Sequence, residues 1–535
     1  GSNSSSGKVS GTIEVLGKSK LILTGKQDLL GWSDGDYTDK ILLRGTDAEN
    51  KATLQLNTRQ TCSTAIVMGG YSTILNGGNA AGNDATDNNA GTLQMHNGGS
   101  ITATGTDNTF SAILNTNKTT SIAVTNTGDK LLIDGVVRGS SVITKTGDGT
   151  LTFSGDMSRQ SGAINVNDGI VVLDDAATLG SSAYVVASGA ELQVSGVTRE
   201  TFSNAVSGAG TLTKTGAGTL TLTNATAVNL NVAGGKLVYE LADNAEAAVD
   251  KTLGSLVVSS GAAFEKTGAG TLNVGNLHDA TLGGDIVVSD GVLQFNGYGT
   301  DTTTEDFEVV PPRFVQLVQN LTTTGTGKVD ITGRVSFNWT ESHAGVRGCT
   351  IGSYISIEDD LQINTFPSNA DADGDTMCRW EVVDGGRLEV GDVLWLTNKQ
   401  KLVVAGGSVT VDGGLKLGHG ENGSATYGNT LYSKLSVESG SLSTTGLTFV
   451  GGANSVCMTG GTLTFTPATD GGEGLIDGKT SISSAGAGTL DFTGGTLAAT
   501  TAGWTLTGTE AMAVSLGNVE FDIAAGKTVT LAGIY

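Results

Sequence analysis

The sequence predicts an all-β chain: a right-handed parallel β-helix, or solenoid, with irregular loops or a small insertion. Three observations carry that prediction. One unit recurs, as "VITKTGDGTLTFSG" at 142–155, "TLTKTGAGTLTLTN" at 211–224 and "AFEKTGAGTLNVGN" at 263–276, with a degenerate copy "SISSAGAGTLDFTG" at 481–494. Within each unit apolar and polar residues alternate, so Leu220 and Leu222 share one parity while Thr219, Thr221 and Thr223 share the other. Composition agrees, because 81 glycines stand against 4 prolines and charged residues make up only 16% of the 535. That is too glycine-rich and charge-poor for ordinary globular domains, too irregular in glycine spacing for collagen, and too apolar for a solvated coil.

Each unit reads as a short strand, a Gly-x-Gly turn and a second short strand. Threonine suits the wet face, since its branched Cβ favours extended backbone. The turn glycines supply positive φ and let stacked chains approach closely. Weaker units of the same grammar occur at 234–241 ("GGKLVYEL"), 289–295 ("SDGVLQF"), 385–396 ("GGRLEVGDVLWL") and 460–467 ("GGTLTFTP"). An eight-residue sub-period taken three times gives a triangular coil of about 24 residues stacking on its predecessor. Separate sandwiches would change their strand grammar along the chain. This sequence does not.

Lys145, Lys214 and Lys266 share the parity of the apolar Ile143, Leu212 and Phe264. A buried ammonium is costly, so each lysine is expected at a corner, with its head leaving the core just before the glycine turn. The degenerate copy has Ser484 at that place.

Domain organisation follows the grammar: coils over 1–298, an irregular insertion or distorted coils over 299–380, and coils again over 381–535, where the chain is expected to be truncated within a repeat. The middle stretch holds Pro311, Pro312, Pro367 and two of the four cysteines. There Phe314, Leu317, Val318 and Leu321 fit either a helical stripe or a strand. A polar loop is expected at 77–92, the kind of segment on which binding residues often sit.

The net charge of −23 argues against nucleic acid as a partner. No apolar run of membrane-spanning length occurs, so no membrane insertion is expected of this chain. Four cysteines, Cys62, Cys349, Cys378 and Cys457, are too sparse for a disulfide scaffold, although Cys349 and Cys378 are close enough in sequence for one bridge.

Candidate chemistry is thin, and no catalytic or cofactor-binding residue is nominated. "GWSDG" at 31–35 matches G-x-S-x-G, but a strand-like "DYTDKILL" follows where a nucleophile elbow needs a helix. "GHGENG" at 418–423 matches G-x-G-x-x-G and again lacks a following helix. Asn369, Asp371, Asp373 and Asp375 place oxygen ligands alternately around Gly374, a weak calcium candidate, with Trp380 where a bidentate acid belongs. His96, His278, His343 and His419 form no close metal pair. Asp34, Asp36, Asp285, Asp290, Asp384 and Asp392 read as single turn residues. Trp32, Tyr37, Trp339, Trp380, Trp395 and Trp504 read mostly as core or cap residues rather than sugar platforms.

The units "ITKTGDGTLTFSG" and "LTKTGAGTLTLTN" resemble the passenger-associated transport repeat of autotransporters, also called the autotransporter-associated β-strand repeat. The stretch 162–196 and the terminal "FDIAAGKTVTLAGIY" resemble that family's text as well. The resemblance implies a bacterial surface or secreted passenger, exported across the outer membrane and acting as an adhesin or structural stalk. It implies a ligand such as a host glycan or another surface partner, met through loops, and a longer parent protein. Uncapped repeat ends are expected to self-associate. Two other readings stay open: a β-helical polysaccharide-cleaving enzyme, which needs carboxylates aligned on neighbouring coils, and a ligand-free spacer.

Overall fold

The computed structural model describes residues 12–24, 27–30, 40–77, 91–96, 99–225, 227–241, 250–276, 281–296, 315–317, 320–340, 348–366, 378–397, 400–418, 433–450, 454–465, 475–476, 479–484, 488–492, 494–499, 504–507, 512–526 and 528–532. Among these residues the chain is all-β, without a helix, and it divides into two compact units, residues 1–235 and 236–535.

In the first unit, consecutive strands are dealt in turn to different sheets, and strands one coil apart pair in parallel. One sheet of nine strands runs from Thr12–Leu16 to Val206–Ser207. A second, of six strands, runs from Gln27–Leu30 to Arg159–Gln160. A third carries Lys20–Leu23, Ala52–Leu56, Thr150–Phe153 and Thr211–Thr215 among others. Partners on adjacent coils between Asn108 and Val232 are 18 to 25 residues apart, close to the coil of about 24 that the sub-period predicts, whereas earlier coils of this unit separate them by up to 38.

The core follows from that register. Parallel stacking sets like over like, so inward residues form ladders. Leu21, Leu54, Ile74, Phe110, Ile133, Phe153, Leu173 and Val194 stack in one line. Ile13, Ile41, Ile66, Ile101 and Ile122 stack in another. From Leu54 to Phe153 the first ladder is fully buried, so each side chain contributes roughly 1.5–3 kcal/mol of burial and packs against its own kind above and below. Tyr184 and Phe202 meet with ring centroids 5.9 Å apart.

The second unit uses the same construction. Leu237, Phe264, Ile286, Leu321, Cys349, Trp380, Leu402, Leu435, Val456 and Leu490 occupy successive rungs. Here the separation of bonded partners ranges from 20 residues, Leu253 to Asn273, to 37, Gly291 to Lys328, and the rungs on either side of the longer connections stay paired. Between 299 and 380 the described residues are strands that keep this register, from Val315–Leu317 through Cys378–Val383. The segment left open between helix and strand is strand, at Val315–Leu317 and Leu321–Thr323. One local antiparallel pairing occurs, between Leu475–Ile476 and Lys479–Ser484.

Candidate functional site

The repeat builds a small polar chamber at three of its turns. Lys145 lies between Ile122 and Val166 in its ladder, Lys214 between Val194 and Val232, and Lys266 between Tyr239 and Val288. The expectation that their heads leave the core is wrong: Lys145 and Lys266 are 0% exposed and Lys214 1%. Backbone carbonyls make this burial tolerable. Lys214 Nζ donates to Gly216 O at 2.6 Å, Gly218 O at 2.6 Å and Gly234 O at 2.7 Å, so all three protons have an acceptor. Lys145 donates to Gly147 O at 2.6 Å and Asp168 O at 2.9 Å. Lys266 donates to the carbonyls of Thr267, Gly268 and Asp290.

The turn geometry makes these acceptors available. Gly147, Gly216 and Gly268 adopt φ of +77°, +81° and +76°, which turns their carbonyls toward the ammonium and which other residues reach only under strain. On the next coil a Cβ at Gly235 or Gly291 would stand 2.5 Å from the lysine Nζ. The glycines in "GG" at 234–235 and "DG" at 290–291 are therefore the other half of the motif. Burial pushes Lys145 down to about 8, opposed by the charges of Asp168 and Asp148, and pushes Lys214 down as well.

A second polar feature lies at a corner of the second unit. Carboxylate oxygens of Asp359 and Asp360, and of Asp392 on the next coil, lie within 4.8 Å of one another. Burial, with Asp392 and Asp359 nearby, pushes Asp360 up to about 6, against a 2.9 Å hydrogen bond from Val393 N–H and the charge of Arg334. Burial likewise raises Asp359. Asp392, read from sequence as a lone turn residue, thus has carboxylate neighbours that no sequence spacing announces.

The remaining candidates fall as follows. Asn369, Asp371, Asp373 and Asp375 lie outside the described residues, as do 31–35, 419–423, most of the 77–92 loop, Tyr37, His278 and His343. Asp285 accepts hydrogen bonds from Asn320, and Asp290 accepts one of 2.5 Å from Thr326, both as turn residues. Trp380 is buried, 5.6 Å from Phe337 between centroids. Trp395 is 7% exposed and donates from Nε1 to Gly418 O at 2.7 Å. Cys349 is a free, fully buried thiol, and its register partner is Trp380, not Cys378, so the Cys349–Cys378 bridge is not formed.

The model of the passenger-associated-transport-repeat family matches residues 143–173, 212–238 and 264–295. No curated protein and no solved structure matches the chain. Each of the three matched segments contains one buried lysine or its turn, Lys145, Gly216 or Lys266, within a ladder of parallel strands. The chain therefore carries passenger-associated-transport-repeats at these three stretches of a parallel β-solenoid, consistent with an autotransporter passenger.

Proposed function

We propose that this passenger is exported to the bacterial surface and works there as an adhesin or stalk, meeting a host glycan or other surface ligand through segments that leave the ladder at the turns. The observation that supports this reading is the tolerance of the core to inserted chain. Rungs stay paired while the separation of bonded partners changes from 20 to 37 residues, so loops vary freely on a fixed scaffold. The cost of fixing loop ends is already met by the ladder on either side, and the loops are left to contact ligand. The test is retention of labelled polysaccharides and mucin glycans by the purified protein, with chain length read in parallel. Retention without shortening is expected, and a calcium requirement would assign the 369–375 loop a metal. Absence of all retention would leave a spacer.

A second reading, glycan cleavage, is favoured by one observation: Asp359, Asp360 and Asp392 bring a protonatable carboxyl and two others together across neighbouring coils. Shortening of a glycan by the native protein, lost in Asp360→Asn, would establish it.

A further inference from the structure

In a chain of net charge −23, parallel register should scatter the few cations, yet one outward column concentrates them. Arg379 pairs in register with Lys401, and Lys401 with Lys434, on three successive coils. Neighbouring parallel strands lie about 4.8 Å apart, so the three side chains leave the sheet at that interval along one line. Their strand neighbours Trp380, Leu402 and Leu435 point inward, which fixes the cations on the outer face. The column continues with the hydroxyl-bearing Ser455, so four successive rungs offer donors.

Like charges at this spacing repel, and no described carboxylate bonds directly to two of them. Arg379 is held by Glu381 at 2.7 Å, which fixes the guanidinium beside the column. Among the described residues Lys401 and Lys434 form no ion pair, and Glu438 acts on Lys401 only at longer range. Burial, and after it the charges of Arg379 and Lys434, push Lys401 down, opposed by Glu438 and Cys457. A ligand with negative groups repeated along its length would relieve that repulsion on all three rungs at once.

We infer that the Arg379–Lys401–Lys434 column binds a polyanionic glycan, sulfated or rich in uronic acid, lying along the stacking direction. This rests on the adhesin reading and names its ligand class. The acidic surface elsewhere repels such a chain, so binding is confined to the column and is weakened by salt.

The experiment measures binding of heparin, polygalacturonate, neutral dextran, mucin glycans and duplex DNA to the whole chain, over a salt series. Three double variants are compared with the native protein: Lys401→Gln with Lys434→Gln, Lys401→Arg with Lys434→Arg, and exposed Lys118→Gln with Lys130→Gln as a charge-matched control. Circular dichroism establishes that each keeps its β-structure. Heparin or polygalacturonate binding that falls roughly tenfold in the glutamine pair, and is kept by the arginine pair and the control, is the expected result. Equal binding by the glutamine pair overturns the column as the site. Retention of neutral dextran, or of mucin glycans undiminished in the glutamine pair, without retention of heparin or polygalacturonate overturns the column and leaves the adhesin reading standing. Binding of DNA as strong as of heparin overturns the glycan class, and retention of nothing overturns both readings.

Discussion

Lys214 donates from Nζ to the carbonyl oxygen of Gly234, 20 residues further along the chain and one coil on, at 2.7 Å. A charge in the core is thereby tied to the backbone of the neighbouring coil. Replacing Lys214 by Met keeps volume and removes the donors, leaving the carbonyls of Gly216, Gly218 and Gly234 unpaired. Each buried orphan costs about 1–3 kcal/mol, so the expected loss is on the order of 3 kcal/mol, allowing for relaxation. Because a solenoid responds locally, the loss should be read as faster amide exchange at Thr211–Leu222 and Asn229–Val232, with Leu54 and Ile74 unaffected. Unchanged exchange at the first two segments would refute the cage.

The turn itself gives a sharper test. Gly147→Ala forces a Cβ onto φ of +77° and places it 2.3 Å from Val124 O, so it should cost well over 1 kcal/mol. Asp148→Ala, at the exposed position between the two glycines, should change stability by no more than about 0.5 kcal/mol. Equal effects on the thermal midpoint would show that conformation and close approach do not govern this turn.

Much of this was legible in the sequence. Alternation in "GTLTL" gives the strands and their faces, because side chains on a strand can point only two ways. The eight-residue echo gives the coil, because stacking like over like is what a repeated unit does when its apolar face is too small to bury alone. The lysines were legible as inward-facing but not as buried, since the acceptors that make burial tolerable come partly from residues such as Asp168 and Gly234, one coil away. The glycines at 235 and 291 were the available signal. Asp392 was unreadable as a partner of Asp359 and Asp360, because unequal coil lengths in the second unit break the fixed spacing on which such a reading depends. The same is true of Arg379, Lys401 and Lys434, which only register brings into line.

Cys349 offers a chemical test of the core. It is 0% exposed, and burial pushes its thiol far above the usual cysteine range, so it should resist alkylation in the native protein and react fully in denaturant. The mass of the native chain should likewise carry no internal bridge between Cys349 and Cys378 after mild oxidation. Rapid native labelling of Cys349 would contradict its place beside Trp380 in the ladder.

Asp360 should leave a signature in pH. Its carboxyl is held near 6 against an ordinary value of 3.8, so between those limits the folded protein binds more protons than the unfolded chain. Stability of this corner therefore falls as pH rises from about 4 to about 6, and stays at the lower level above that. Asp360→Asn should flatten the slope and raise stability at pH 7, as read from exchange at Leu361–Phe366 and Val393–Leu396. An unchanged slope would mean that burial, with Asp392 and Asp359 beside it, does not hold Asp360 above its ordinary value.

The lysine chambers also give the stack a direction. Among the described residues, the Lys145 and Lys214 ammoniums each find two kinds of acceptor, their own turn and the coil that follows, and none on the coil before. Growth that adds coils toward the amino terminus seals both charges as they are laid down, since the later coil is already in place. Growth toward the carboxyl terminus carries an open, half-satisfied cation at its leading edge until the next turn closes over it. The two routes end in the same fold, yet the second must expose at each of these repeats a defect that the first never meets.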